Sequence, residues 1–245
     1  MKQIWTIAKR ELNSFFDSLL AYIMLIAFLG FTGLFTWLVG GRQIFMSGQA
    51  SMANFFGVAY WTLFFFVPAL TMKMVAEDKS NGIIELILTK PVSDWQFLTG
   101  KYLSVIMLVL ISLLLTIPYY ITIANVSEVK VDHGAIITGY LGLLLMCAAY
   151  TAIGIFTSSL TSNQIVALLL ALLIGIFFHF VFDVLARSFP GALGNILSYL
   201  SISSHYQSIT RGVVDSKDII YFASIIFLGL LGAEGVLMKR NLSDN

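Results

Sequence analysis

The residues best equipped for chemistry lie in AEDKSNGIIELILTKPVSDWQFLTGKY, residues 76–102, a charged stretch set between two apolar runs. Glu77, Asp78 and Lys79 place two carboxylates and an ammonium side by side, and Glu85 follows within a short apolar pattern. Ion pairing with a protein partner is what such groups do best. His179 and Asp183 form a second candidate constellation. Four residues apart, they share one helical face and could make an intramembrane polar pair on a substrate or proton path. The plainer reading, which the sequence favours, places both near the outer water interface, where polar groups cost much less. Glu234 has Lys239 and Arg240 close behind it, and reads as paired or solvated near the inner surface. Neither H-E-x-x-H nor G-x-S-x-G occurs, and His133, His179 and His205 are the only histidines, so no motif assembles a catalytic centre. The lone cysteine, Cys147, excludes a disulfide framework and a cysteine metal cluster.

The elements that must position these groups are membrane helices. Hydrophobic residues make up 58% of the 245 and charged residues 11%, against about 45–50% and 25% in soluble domains. Six runs, about 19–40, 55–76, 102–124, 135–158, 165–186 and 219–238, are near the ~20 residues needed to cross a bilayer core. The fold expected is all-α and polytopic. The first run is too long for a signal peptide core and no A-x-A-like site follows it, so it reads as a retained span. Residues 1–18 place Ile4, Trp5, Ala8, Leu12, Phe15 and Phe16 near one face and Lys2, Lys9, Arg10, Glu11 and Asn13 on the other, which suits an interfacial helix lying on membrane lipid.

Orientation follows from the cationic residues. With the N-terminus inside, Lys2, Lys9, Arg10, Lys73, Lys79, Lys90, Lys101, Lys239 and Arg240 face the cytoplasm, and Arg42, Lys130, Arg187, Arg211 and Lys217 face outward. Both termini are therefore expected in the cytoplasm. Residues 77–101 become a cytoplasmic connection, and 187–218 become outer re-entrant or interfacial helices. Pro68 and Pro118 predict kinks in spans two and three. Gly229, Gly232 and Gly235 form a small-residue strip on span six that allows close helix packing. A net charge of +1 offers nucleic acid no electrostatic footprint.

Within 76–102, Gly82 breaks the chain after span two and Pro91 closes a helix of about two turns. Ile83, Ile84, Ile87 and Leu88 share its apolar face with Leu86 beside them. So short a helix is marginal in water and cannot span a bilayer. It needs a partner's groove or the lipid surface to hold it, and the pattern alone supports either.

The same stretch resembles the signature of ABC transporter permeases of the type-2 exporter class. That family marks its coupling helix with an acidic pair, Gly-x-x-Glu-Leu, a proline and Gly-Lys, matched here by Glu77 and Asp78, Gly82, Glu85 with Leu86, Pro91, and Gly100 with Lys101. Ile83 stands where Thr or Ser is usual, and Lys79 represents the common cation between acid and glycine. KRELNSFFDSLLAYI, YLSVIMLVLISLL and CAAYTAIGIFTSSLTSNQIVA look closer still to the gliding motility-associated permease subunit. The resemblance implies a non-enzymatic permease in a bacterial inner membrane, paired with a second copy or a related permease. ATP and Mg would be bound by a separate cytoplasmic ATPase subunit, since this chain lacks G-x-x-x-x-G-K-[ST]. Glu77, Asp78, Lys79 and Glu85 would orient that ATPase through ion pairs; Ile84, Leu86, Ile87 and Leu88 would pack into its groove. The gliding-type likeness further implies a membrane companion with a large extracytoplasmic domain. An ATPase-coupled structural anchor would use the same coupling helix, and a secondary carrier would also be a helical bundle.

Overall fold

Apolar runs in a bilayer can satisfy their backbone only internally, so they become helices. A computed structural model describes residues 2–39, 52–84, 92–127, 132–189 and 191–243, with side chains as far as Lys239. Six helices are long and apolar enough to cross a membrane, and no strand occurs among the described residues. The chain is an all-α polytopic membrane protein.

The first helix, Lys2–Asp17, is amphipathic, burying Ala8 and Phe15 while Trp5, Lys9 and Arg10 stay exposed. A break at Ser18 separates it from the first span, Leu19–Trp37. The second span occupies Ala53–Thr71 with Pro68 inside it, turns at 72–75, and resumes as the short helix Ala76–Ser80. Asp94–Leu114 begins the third span, well ahead of the apolar run, because Ser93 and Gln96 form a capping box: Gln96 N donates to Ser93 Oγ at 3.2 Å and Ser93 N to Gln96 Oε1 at 3.3 Å. The expected bend at Pro118 is a turn at 115–116, after which Ile117–Val126 restarts with the proline in its first turn, where a missing N–H costs nothing.

The fourth span, His133–Leu160, is the axle of the bundle. It is 67% buried in its most apolar window against 17–44% for the other five. Small residues make this depth accessible: Gly139 meets the Phe56 ring, Gly154 meets Thr71, and Gly229 of span six meets the Ala152 backbone. Gly232 likewise sits against Phe156, so two of the three strip glycines serve packing within the chain, while Gly235 faces open space. The fifth span starts at Gln164 under an Asn163 cap and passes through a π-helical turn, Phe177–Val181, before Phe182–Ser188. Two short helices, Ala192–Leu200 and Ile202–Ile209, precede the last span, which lies in Ser216–Ser243.

The predicted coupling residues Glu85, Leu86, Ile87, Leu88 and Pro91 lie outside the described residues. So do most of the connection at 41–54 and the Lys130 and Pro190 positions.

Candidate functional site

At one end of the bundle the chain gathers its charges. Pro68 and the turn at 72–75 interrupt helical hydrogen bonding, leaving backbone groups that must find partners in an apolar setting. Ser158 of the fourth span supplies them. Its Oγ accepts from Val75 N and Ala76 N, each at 3.0 Å, and donates to the Met72 carbonyl at 2.9 Å. That clamp fixes the direction in which Ala76–Ser80 leaves the bundle. Lys79 Nζ donates to the Ser159 carbonyl, tying the short helix to the same turn of span four. Gly82, at φ +68°, then turns the chain in a left-handed conformation that a side chain would resist. Ile84, just beyond it, is buried.

Asp78 points inward from the short helix to Lys101, with Oδ2 2.7 Å from Nζ. Glu11 of the first helix approaches the same ammonium at 3.4 Å, and Arg10 pairs with Glu11 at 2.6 Å. Lys101 is only 2% exposed and also lies 5.0 Å from the Phe97 ring centre. An ammonium at that depth is tolerated because two carboxylates and an aromatic face replace its water. Burial pushes the Glu11 carboxyl up, but the Lys101 charge, with the Arg10 hydrogen bond, outweighs it and holds the group below its ordinary value. Gly100 lets the helices meet, since a Cβ there would lie 2.7 Å from Ile7 Cγ2. Three segments far apart in sequence are thus joined at one buried cation.

Among the expected ion-pairing residues, Asp78 and Lys79 are engaged inside the chain, and Glu77 is the partly exposed acid of the segment. Lys73 lies 5.1 Å from the Phe15 ring centre, bracing the first helix. His179 and Asp183 do not pair. The π turn breaks the 3.6-residue register on which their shared face depended. Asp183 instead binds Arg187 at 2.8 Å, and His179, 2% exposed, meets Tyr150 Oη at 2.7 Å through Nδ1.

Sequence reasoning missed Glu11 as a partner of Lys101, the Ser158 clamp, and a buried pair at the opposite end. There His205 Nδ1 lies 2.6 Å from Asp218 Oδ1, its Nε2 donates to the Tyr199 carbonyl at 3.0 Å, and its ring stacks on Tyr221. No group of three His, Cys, Asp or Glu that could hold a metal occurs among the described residues.

The model of the ABC-2 family transporter protein family matches residues 42–238, from just before the second span to the end of the sixth. No curated protein matches the chain. With well over half its length inside that family model, the chain belongs to the ABC-2 transporter family and is a membrane subunit of an ABC transporter.

Proposed function

We propose that the chain is the permease of a type-2 exporter, coupled through residues 76–102 to a separate cytoplasmic ATPase that binds ATP and Mg. The observation that carries this reading is the buried Asp78–Lys101–Glu11 cluster. It makes the segment after span two one mechanical unit with the first helix and the third span, so a push on that segment reaches the bundle. Glu77 offers charge to the ATPase, and Glu85, Leu86, Ile87 and Leu88 complete the contact, with Gly82 and Pro91 bounding it. The permease acts as a pair, identical or related, in a bacterial inner membrane with both termini cytoplasmic. The gliding-type stretches favour a companion with a large extracytoplasmic domain.

Affinity purification from the native host in mild detergent, with crosslinking and mass spectrometry, tests the reading. A stoichiometric P-loop ATPase is expected, and Glu85→Arg with Leu86→Asp abolishes its attachment without affecting membrane insertion. Recovery of the chain without any ATPase, even after crosslinking, would overturn it.

A further inference from the structure

At the end of the bundle opposite Lys101, one side chain of the helix Ile202–Ile209 faces two acceptors. His205 Nδ1 lies 2.6 Å from Asp218 Oδ1 of the last span, and Nε2 lies 3.0 Å from the Tyr199 carbonyl. A carbonyl oxygen can only accept, so Nε2 carries a hydrogen. A neutral imidazole has one N–H, and with it placed on Nε2 the bare Nδ1 would meet a carboxylate oxygen, lone pair against lone pair. The arrangement therefore holds a second proton, between Nδ1 and Oδ1.

Its place is on the imidazole. Asp218 sits in the first turn of Ser216–Ser243, where the helix dipole favours the anion. It is 0% exposed and its Oδ2 has no hydrogen-bond partner, so the His205 charge is what compensates it. His205, 5% exposed, also stacks on Tyr221 with ring centres 3.9 Å apart, and Tyr221 Oη donates to the Leu200 carbonyl at 2.6 Å. Tyr199 and Leu200 end the helix Ala192–Leu200, where the last carbonyls lack partners within the helix. Imidazole and phenol together cap that end.

The surroundings offer the proton no rival. The last span presents Asp218 and Tyr221 to the imidazole, and Ala192–Leu200 presents the Tyr199 carbonyl. Lys217, beside Asp218 in sequence, is bound to Asp215 at 3.0 Å. Toward spans two and four and the π turn, Ile202–Ile209 presents Tyr206, which lies against Gly142 and stacks on Tyr60, itself stacked on His179. Among the described residues, Asp218 is the charged group that touches the His205 ring.

We propose that His205 and Asp218 form a proton-binding site that locks Ala192–Leu200 and Ile202–Ile209 to the last span while occupied, and releases Ala192–Leu200 when the proton leaves. Without it, one N–H serves two acceptors. Keeping that hydrogen on Nδ1 is the cheaper choice, because the alternative strands a buried carboxylate. Nε2 then turns a lone pair toward the Tyr199 carbonyl, and its cap on the helix is lost. The locked form binds the extra proton, so the lock is present at low pH and disappears as pH rises. The side from which the proton comes rests on the orientation proposed above, which puts this end outside the cytoplasm; the lock itself does not.

Nitrogen-15 NMR of the full-length chain labelled at histidine, in lipid nanodiscs open on both faces, reads the proton directly. The His205 signals are those lost in His205→Phe, which keeps the stack on Tyr221. Two N–H nitrogens are expected at about pH 5 and one by about pH 9, on either side of the ordinary histidine range near 6.5. Amide exchange, corrected for the intrinsic rate at each pH, supplies the mechanical readout. It should rise about ten- to a hundredfold in Ala192–Leu200 across that range, as for loss of a hydrogen bond to a charged group, while span four stays unchanged. A single His205 N–H at about pH 5, two still present at about pH 9, or exchange in Ala192–Leu200 that ignores pH would each overturn the proposal.

Discussion

Replacing Lys101 with Met keeps the stem against Phe97 and deletes the charge that Asp78 and Glu11 share. Removing one partner of a buried ion pair costs about 3–5 kcal/mol, because the charges left behind have lost their compensation. Here the stranded carboxylates retain a little water, at 12% and 15% side-chain exposure, which argues for the lower end. About 3 kcal/mol corresponds to roughly a hundredfold in an equilibrium, at ~1.4 kcal/mol per tenfold. The simplest way for the chain to relieve the two carboxylates is to release the first helix. Amide exchange in Lys2–Asp17, followed by mass spectrometry in lipid nanodiscs, should therefore accelerate about a hundredfold in Lys101→Met while exchange in the fourth span stays unchanged. Adding Glu11→Gln and Asp78→Asn removes the stranded charges and should recover most of the protection. Unaltered exchange in both Lys2–Asp17 and Ala76–Ser80 would refute the view that this cation joins the three segments.

Two further outcomes follow from the same end of the bundle. The Glu11 carboxyl is held below its ordinary value of 4.5 in the folded chain, so its contribution is fully present above that value and is lost as pH falls through the depressed one. Protease cleavage within Lys2–Asp17 should thus rise on acidification from pH 7 into this range, and Lys101→Met should reduce the pH dependence. A Cβ at Gly154 would stand 1.9 Å from Thr71 Oγ1, so Gly154→Ala forces spans two and four apart at a cost of about 1–3 kcal/mol. Its unfolding midpoint should drop, and Thr71→Ala in the same chain should restore part of the loss.

The six spans were legible because the bilayer imposes a length that apolar runs meet or fail, and span four was as readable as span one although only span four is central. What decides that centrality is which small residues face which neighbours, as at Gly139 and Gly154, and composition does not assign neighbours. The early start of the third span was legible in principle, since Ser93 and Gln96 have capping-box spacing; its polar first turn disguised it as loop. The π turn left no such trace, so the His179–Asp183 pairing rested on a periodicity that the chain abandons there. Lys101 was visible within the Gly-Lys motif, but its partners were not: they reach it across separate segments, Glu11 through the packing of Gly100 on Ile7 and Asp78 through the turn that Ser158 holds.

The position of the fourth span turns these local contacts into a route. At one end Ser158 and the Ser159 carbonyl hold the turn and short helix that lead into the proposed ATPase contact. Further along the same helix Tyr150 holds His179, and Gly142 lies against the Tyr206 ring. A displacement of Ala76–Ser80 together with the turn at 72–75 would have to break three hydrogen bonds to Ser158 or carry span four with it. Moving span four shifts the ring stack it supports, because side chains packed at interior density transmit displacement rather than absorb it.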